Sequence, residues 1–362
     1  MFPRLRHRTA ACFIIGLVFG YQMATNKEAF FENGALSYAD RVNGFDDVGT
    51  PIVDVGSNGS RHDGSDWKAG NLDVGNITDV IRFSDLQQHK ADDDTIARGL
   101  YQSVRILCWV MTSPSNLQKR ASHVRETWGR RCNVLLFMSD AEDPDFPAIG
   151  LNVKPGRLHL YTKTMLAFDH VYQHHLNDAD WFLKADDDTY VILENLRYLL
   201  SANSPDDPVY FGHHFQMFME QGYFSGGAGY VLSREALRRY GSRTMNACVR
   251  NNGAEDLLFG FCMERLGVKA GNSRDRLNRS RFHSLNIRNH IQGIYPEWYK
   301  KFDNYSGHKG VESISDYPIS FHYVCPDDMY TLEYFTYHAS VYGLMRGLQQ
   351  LNPDDNSTSD HH

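Results

Sequence analysis

Three short apolar runs limit what this chain can fold into: Val104 to Met111 (VRILCWVM), Asn133 to Met138 (NVLLFM) and Trp181 to Ala185 (WFLKA). They read as buried strands, and the first leaves into the loop signal Thr112, Ser113, Pro114. The stretches between them have helical spacing: Leu117 to Trp128, and Leu158 to His175 through Leu160, Met165, Phe168, Val171 and Tyr172. Further along, Val209 to Phe211 and Ala228 to Leu232 read as strands, and Glu194 to Leu200 and Arg234 to Tyr240 as helices. Strands alternating with helices predict an α/β sheet, mostly parallel, with helices on both faces. Ligands collect at the carboxyl ends of such strands. Asp186, Asp187 and Asp188 follow WFLKA directly and fall at such an end.

Three adjacent carboxylates repel one another and lose solvation where they are partly buried, so the pattern points to a bound cation. A hard divalent ion suits them, and such an ion bridging a diphosphate neutralises the charge that develops as the diphosphate leaves. Taken alone, the triplet equally suits a solvated acidic turn. His322, inside the short apolar run Phe321 to Val324, is by itself more often a core histidine; beside the triplet it completes a mixed set suited to Mn²⁺. Glu255 and Asp256 precede an apolar helix reaching about Leu266. They are either first-turn acids favoured by the helix dipole or, in the case of Asp256, a general base for an attacking hydroxyl. The run Ser225 to Tyr230 (SGGAGY) is either a tight turn or a place where backbone approaches a sugar. No phosphate-binding glycine loop and no Gly-x-Ser-x-Gly elbow occurs.

At the N-terminus, Arg4, Arg6 and Arg8 precede the apolar run Ala10 to Ala24. This predicts a cytosolic tail (1–9), a signal anchor (10–25) and a luminal body; a cleaved signal peptide is the alternative. Residues 26–98 are rich in Asp, Gly, Asn and Ser and read as a flexible stem, followed by a catalytic domain over 99–345 and a disordered tail over 346–362. Sequons at Asn58, Asn76, Asn278, Asn304 and Asn356 agree with a luminal address. Five cysteines lie beyond the anchor. Sequence proximity favours Cys108 with Cys132 and Cys248 with Cys262, leaving Cys325 over. The net charge of −7 carries no basic footprint for nucleic acid.

The motifs CWVMT, HVRETW, ADWFLKADDDTYVI, GGAGYVLS, AEDLLFG, GNSRD and SFHYV stand here in the order and approximate spacing of the core 1 β1,3-galactosyltransferases, and the chain resembles that group of glycosyltransferase family 31 over about Leu100 to Gly343. The resemblance implies a GT-A fold with a single nucleotide-binding domain. It also implies an inverting transfer of galactose from UDP-galactose to the 3-hydroxyl of GalNAc on Ser or Thr. Carried over by position, Asp186, Asp188 and His322 would hold Mn²⁺, and Asp256 would be the base. Met111, Gly156, Arg157, Lys163, Asp187 and Tyr323 would meet the donor, and Trp298, Tyr223 and Gly227 the acceptor. The partners implied are the nucleotide sugar, a GalNAc-bearing glycoprotein, the Golgi membrane through a single-pass type II anchor, and a second copy in a homodimer. The sequence departs from the family at Lys300, at His213 and His214, at Ser284 and Leu285, and at Ser313 and Ile314. These departures are expected to gather on the acceptor side. Two other functions fit the pattern less well: a related transferase with another acceptor, and a non-catalytic glycan-binding or client-binding relative, which would commonly lack the acidic triplet.

Overall fold

The computed structural model describes residues 93–244, 247–248, 254–303 and 308–341. The expected tail, anchor and most of the stem lie outside these residues, as does the C-terminal tail. Among the described residues no helix is long and apolar enough to cross a membrane.

Helix α1 (Thr95–Ser103) leads into β1 (Ile106–Met111) and overlaps the last residues assigned to the stem. Next come α2 (Ser122–Glu126), β2 (Val134–Ser139), β3 (Ala148–Gly150), α3 (Leu160–His175), β4 (Trp181–Asp186), β5 (Tyr190–Val191) and α4 (Leu193–Ser201). The second half holds β6 (Val209–Gly212), β7 (His214–Phe215), β8 (Tyr223–Phe224), β9 (Tyr230–Ser233), α5 (Arg234–Gly241) and α6 (Glu255–Arg265). The chain closes with β10 (Lys269–Ala270), β11 (Phe282–His283), α7 (Ile287–Gln292), α8 (Glu297–Phe302), β12 (Ser320–Phe321) and α9 (Pro326–Tyr337).

Seven strands form the main sheet in the order β10-β6-β9-β4-β1-β2-β3. All run parallel except β9, which is antiparallel to both β4 and β6. Strand β1 is buried along its whole length, and its side chains alternate between two cores. Ile106, Cys108 and Val110 join Leu117, Val124, Trp128 and Leu196 on one face. Leu107, Trp109 and Met111 join Phe168, Leu237 and Phe259 on the other. Burying each large side chain contributes about 1.5–3 kcal/mol, which is why runs this short hold the centre of the sheet. The expected disulfides Cys108–Cys132 and Cys248–Cys262 both form, and Cys325 is free and exposed.

The segment expected as one helix over Leu117 to Trp128 is instead a π-turn (Leu117–Ala121), the short α2 and a 3₁₀ turn (Trp128–Arg131). Its apolar spacing still buries Leu117, Ala121, Val124 and Trp128. The small strands β3, β5, β7, β8 and β10 to β12 have two or three residues each, too few for an alternation to register.

Candidate active site at the carboxyl end of the sheet

The parallel register sets Met111, the last residue of β1, against Asp186, the last residue of β4. The chain then turns, with Thr189 N–H donating to the Asp186 carbonyl (3.1 Å), and enters β5. Strand β12 pairs antiparallel with β5, Phe321 opposite Tyr190, and so delivers His322 to the acidic turn. Val324 N–H donates to the Asp188 carbonyl at 2.9 Å and locks the two segments together. As a result, one ligand atom each of Asp186, Asp188 and His322 lies within 4.8 Å of the others. His322 Nε2 stands 3.2 Å from Asp188 Oδ1 and 3.9 Å from Asp186 Oδ2. Its Nδ1 faces the Ser284 carbonyl at 3.3 Å, a second partner that orients the ring. Two carboxylates and an oriented imidazole converging this closely fit a divalent cation.

Burial pushes the Asp188 carboxyl up, but His322 and Arg120 outweigh it and hold it below the ordinary range. Burial pushes His322 down, and Asp188 and Asp186 more than reverse this, so its pKa is raised. Asp187 is raised to about 6 by burial and by Asp188, although Thr112 Oγ1 donates to its Oδ2 at 2.8 Å. Arg120 Nη1 reaches Asp188 Oδ2 at 3.0 Å and Asp187 Oδ1 at 3.6 Å.

The glycine run forms the back wall. Gly229, at φ +77°, closes a turn by donating to the Gly226 carbonyl at 3.0 Å. A Cβ on Gly227 would overlap the His322 ring, and one on Gly226 would overlap the Glu255 carboxylate. The close approach at Gly227 is thus made to His322, a ligand candidate, and not directly to a sugar. Thr189 Oγ1 donates to the Gly227 carbonyl at 2.8 Å and fixes this loop against the acidic turn. On the other side of the loop, Gly226 N–H stands 3.5 Å from Asp256 Oδ2, and Leu257 N–H donates to Asp256 Oδ1 at 2.9 Å. Burial, and then Glu255, raise Asp256 to about 6.

The buried Lys184 ammonium ties these parts together. It donates to Asp186 Oδ1 and to the Gly226 carbonyl (2.9 Å). Burial alone would lower its pKa, but Asp186, Glu255 and Asp256 raise it. Glu255 accepts from Thr164 Oγ1 (2.9 Å) and the Tyr230 hydroxyl (2.7 Å). The sequence reading missed Lys184, Arg120, Thr112 and Glu255 as site residues. For Lys184 a signal existed, since a lone charge inside WFLKA needs a buried partner. The role of Arg120 follows from a contact 68 residues away along the chain, and no local pattern carries it.

Among the other expected donor residues, Met111 lies at the strand end, and Gly156 (φ +109°) and Arg157 are exposed at the entry to α3. Lys163 is buried and donates to Asp140 Oδ1 (2.6 Å) and to the Thr112 carbonyl, so its charge is already matched internally. Tyr323 is half-exposed at φ +52°, a backbone region that costs a non-glycine residue about 1 kcal/mol or more, and its ring stacks on His322 with centroids 3.9 Å apart.

On the expected acceptor side, Trp298 of α8 is half-buried against Phe215 and Tyr299. Tyr223 is fully buried in the same cluster, which makes it a support for this surface and not a contact on it. The departures from the family separate here. Lys300 is exposed and pairs with Glu297 (2.6 Å). His213 is fully buried, stacked on Tyr299, with Nδ1 donating to the Phe282 carbonyl at 2.8 Å and Nε2 3.3 Å from Asp303. Leu285 and Ser284 are also buried, and Ser313 Oγ meets the Tyr295 hydroxyl at 3.1 Å. Of these residues, Leu285 joins the cluster that packs against Trp298, and His213 reaches it through Tyr299.

An α/β sheet of this order, with an acidic turn and an opposed histidine at its carboxyl edge, offers a site for a divalent cation and a phosphate-bearing ligand. The Fringe-like family model matches residues 101–327, and the chain belongs to that family. It is 48% identical over 261 residues to glycoprotein-N-acetylgalactosamine 3-beta-galactosyltransferase 1 of Xenopus laevis, covering 70% of this chain and 72% of the relative. A beta-1,3-glucosyltransferase of Mus musculus is 30% identical over 153 residues, 41% of this chain and 31% of that protein. Among solved structures, mouse xyloside xylosyltransferase 1 aligns over 60% of this chain and 97% of its own at 10% identity and a TM-score of 0.35, too weak to bear on the fold.

Proposed function

We propose that this chain transfers galactose from UDP-galactose to the 3-hydroxyl of GalNAc linked to Ser or Thr, with inversion at the anomeric carbon. The observation that carries this reading is the shared glycine loop: Gly227 backs the ligand candidate His322, while Gly226 contacts Asp256, so metal site and base are two sides of one element. The 48% identity to a galactosyltransferase of this name supports the substrate pair.

Asp186, Asp188 and His322 would hold Mn²⁺, which when bound neutralises charge on the departing diphosphate. The chain's own groups do the rest. The Asp256 carboxylate takes the proton from the acceptor hydroxyl as its oxygen attacks the anomeric carbon and the bond to UDP breaks. Its pKa near 6 leaves it ionised at neutral pH yet basic enough to accept that proton. Lys184 keeps Asp186 and the glycine loop in register, and Arg120 restrains Asp187 and Asp188. Asp187, Met111, Arg157 and Tyr323 would line the donor, and Trp298 would offer an apolar face to the acceptor sugar.

The body is proposed to face the Golgi lumen, held by residues 10–25. The basic flank before that run supports this, as do two disulfides, which persist in oxidising compartments. An acceptor screen with UDP-galactose and Mn²⁺ tests the assignment. Galactose on GalNAc-peptide is the expected product, and transfer only to another glycan would reassign the acceptor.

A further inference from the structure

A cluster of three histidines stands away from the candidate active site, on helix α3. Helix α3 begins at the catalytic edge, where Lys163 and Thr164 lie, and ends six residues before β4 starts at Trp181, by the amino ends of the strands. At a rise of 1.5 Å per residue, His174 lies about 16 Å along the helix from Lys163. His170 and His174 are spaced i, i+4, so both rings project from one helix face, the arrangement by which paired histidines on a helix take up a transition metal. Their ring centroids are 4.5 Å apart, and His175 brings a third ring to within 5.9 Å of His170 and 6.4 Å of His174.

We propose that His170, His174 and His175 form a separate site for a borderline-soft divalent cation of the zinc type, with water in the fourth position. An imidazole bound through nitrogen at about 2.0–2.1 Å has its ring centroid about 3.2 Å from the ion, so tetrahedral ligands have centroids about 5 Å apart. The three observed separations bracket that value, and binding requires the rings to rotate toward a common point. His175 is held in place by a carboxylate, since its Nδ1 bonds Asp178 Oδ2 at 2.8 Å, which leaves Nε2 for the ion in the carboxylate–histidine–metal pattern. The donor set also separates the two sites chemically. Imidazoles alone select zinc-type ions, whereas the Asp186, Asp188 and His322 set suits Mn²⁺.

The proposal is tested by Zn²⁺ titration of the full chain by calorimetry, with saturating Mn²⁺ and UDP filling the active site. A parallel His361→Ala/His362→Ala control removes the two terminal histidines. One equivalent of Zn²⁺ should bind both proteins equally. Binding should weaken at least ~100-fold in His170→Ala/His174→Ala and by about 10-fold in Asp178→Ala, the usual cost of losing an outer carboxylate. Galactosyl transfer with Mn²⁺ should be the same in the double variant as in the parent. Unchanged Zn²⁺ affinity in His170→Ala/His174→Ala, or loss of the site in the terminal control, would overturn the proposal.

Discussion

The charged side and the aromatic side of the candidate active site are built on different physical terms. Around Asp186, Asp188 and His322 every group is held by charge or by a backbone hydrogen bond, and the elements that meet there come from four distant parts of the chain. Around Trp298 the contacts are aromatic packing: Phe215, Tyr223, Tyr299 and Phe302 fill a cluster beneath a half-exposed indole. Charge networks fail when one partner is removed, because the remaining charges are left buried. Aromatic clusters tolerate volume-conserving exchange. His213 and Leu285 pack in or against the aromatic cluster, whereas the Ser284 carbonyl faces His322 on the charged side.

The comparison breaks most sharply on metal removal. Chelation, or Asp188→Ala, should abolish transfer; activity persisting in excess chelator would show that the charged side is not a metal site. Next is Asp256→Asn, expected to lower kcat by about 10²- to 10⁴-fold while both substrates still bind. The same residue fixes a pH dependence. Asp256 must be ionised to act, so kcat should fall as pH drops through about 6. Its effect on stability runs the other way. The folded pKa is raised, so the stability it contributes is fully present below the unfolded value and is lost as pH rises through about 6. Denaturation of Asp256→Asn should accordingly show a gain over the parent at pH 7 to 8 that vanishes in acid; the opposite trend would contradict the burial argument.

Gly227→Ala should have a smaller but selective effect. The added methyl meets the His322 ring, so Mn²⁺ affinity should fall about tenfold or more with the fold retained, measured by titration beside a melting curve. The smallest effect is expected on the aromatic side. Trp298→Ala should raise the acceptor KM several-fold, in keeping with about 1 kcal/mol for a lost aromatic contact, and leave UDP affinity unchanged. Lys300→Trp, on an exposed position already paired with Glu297, should restore part of such a surface and lower the acceptor KM slightly. A large change in UDP binding from either variant would erase the distinction between the two sides.

Much of this was legible in the residues. VRILCWVM, NVLLFM and WFLKA are continuous apolar runs because their strands are covered on both faces, so the sheet and the position of Asp186 at its edge could be read directly. The two disulfides followed from proximity, since 24 and 14 residues separate their partners. Local pattern could not assign Lys163, whose charge is spent on Asp140, nor tell that Tyr223 lies inside the cluster and not on its surface.

The order of strands and helices, the acidic turn and the identity of the ligand types are properties of composition and period, which are local and survive without knowledge of neighbours. The meeting of Asp188 with His322, of Arg120 with Asp187, and of Lys184 with Gly226 depends on which strand ends fall side by side. Those pairings arise from the docking of β12 on β5, the parallel pairing of β1 with β4 and the antiparallel insertion of β9, and they join residues that no sequence period relates.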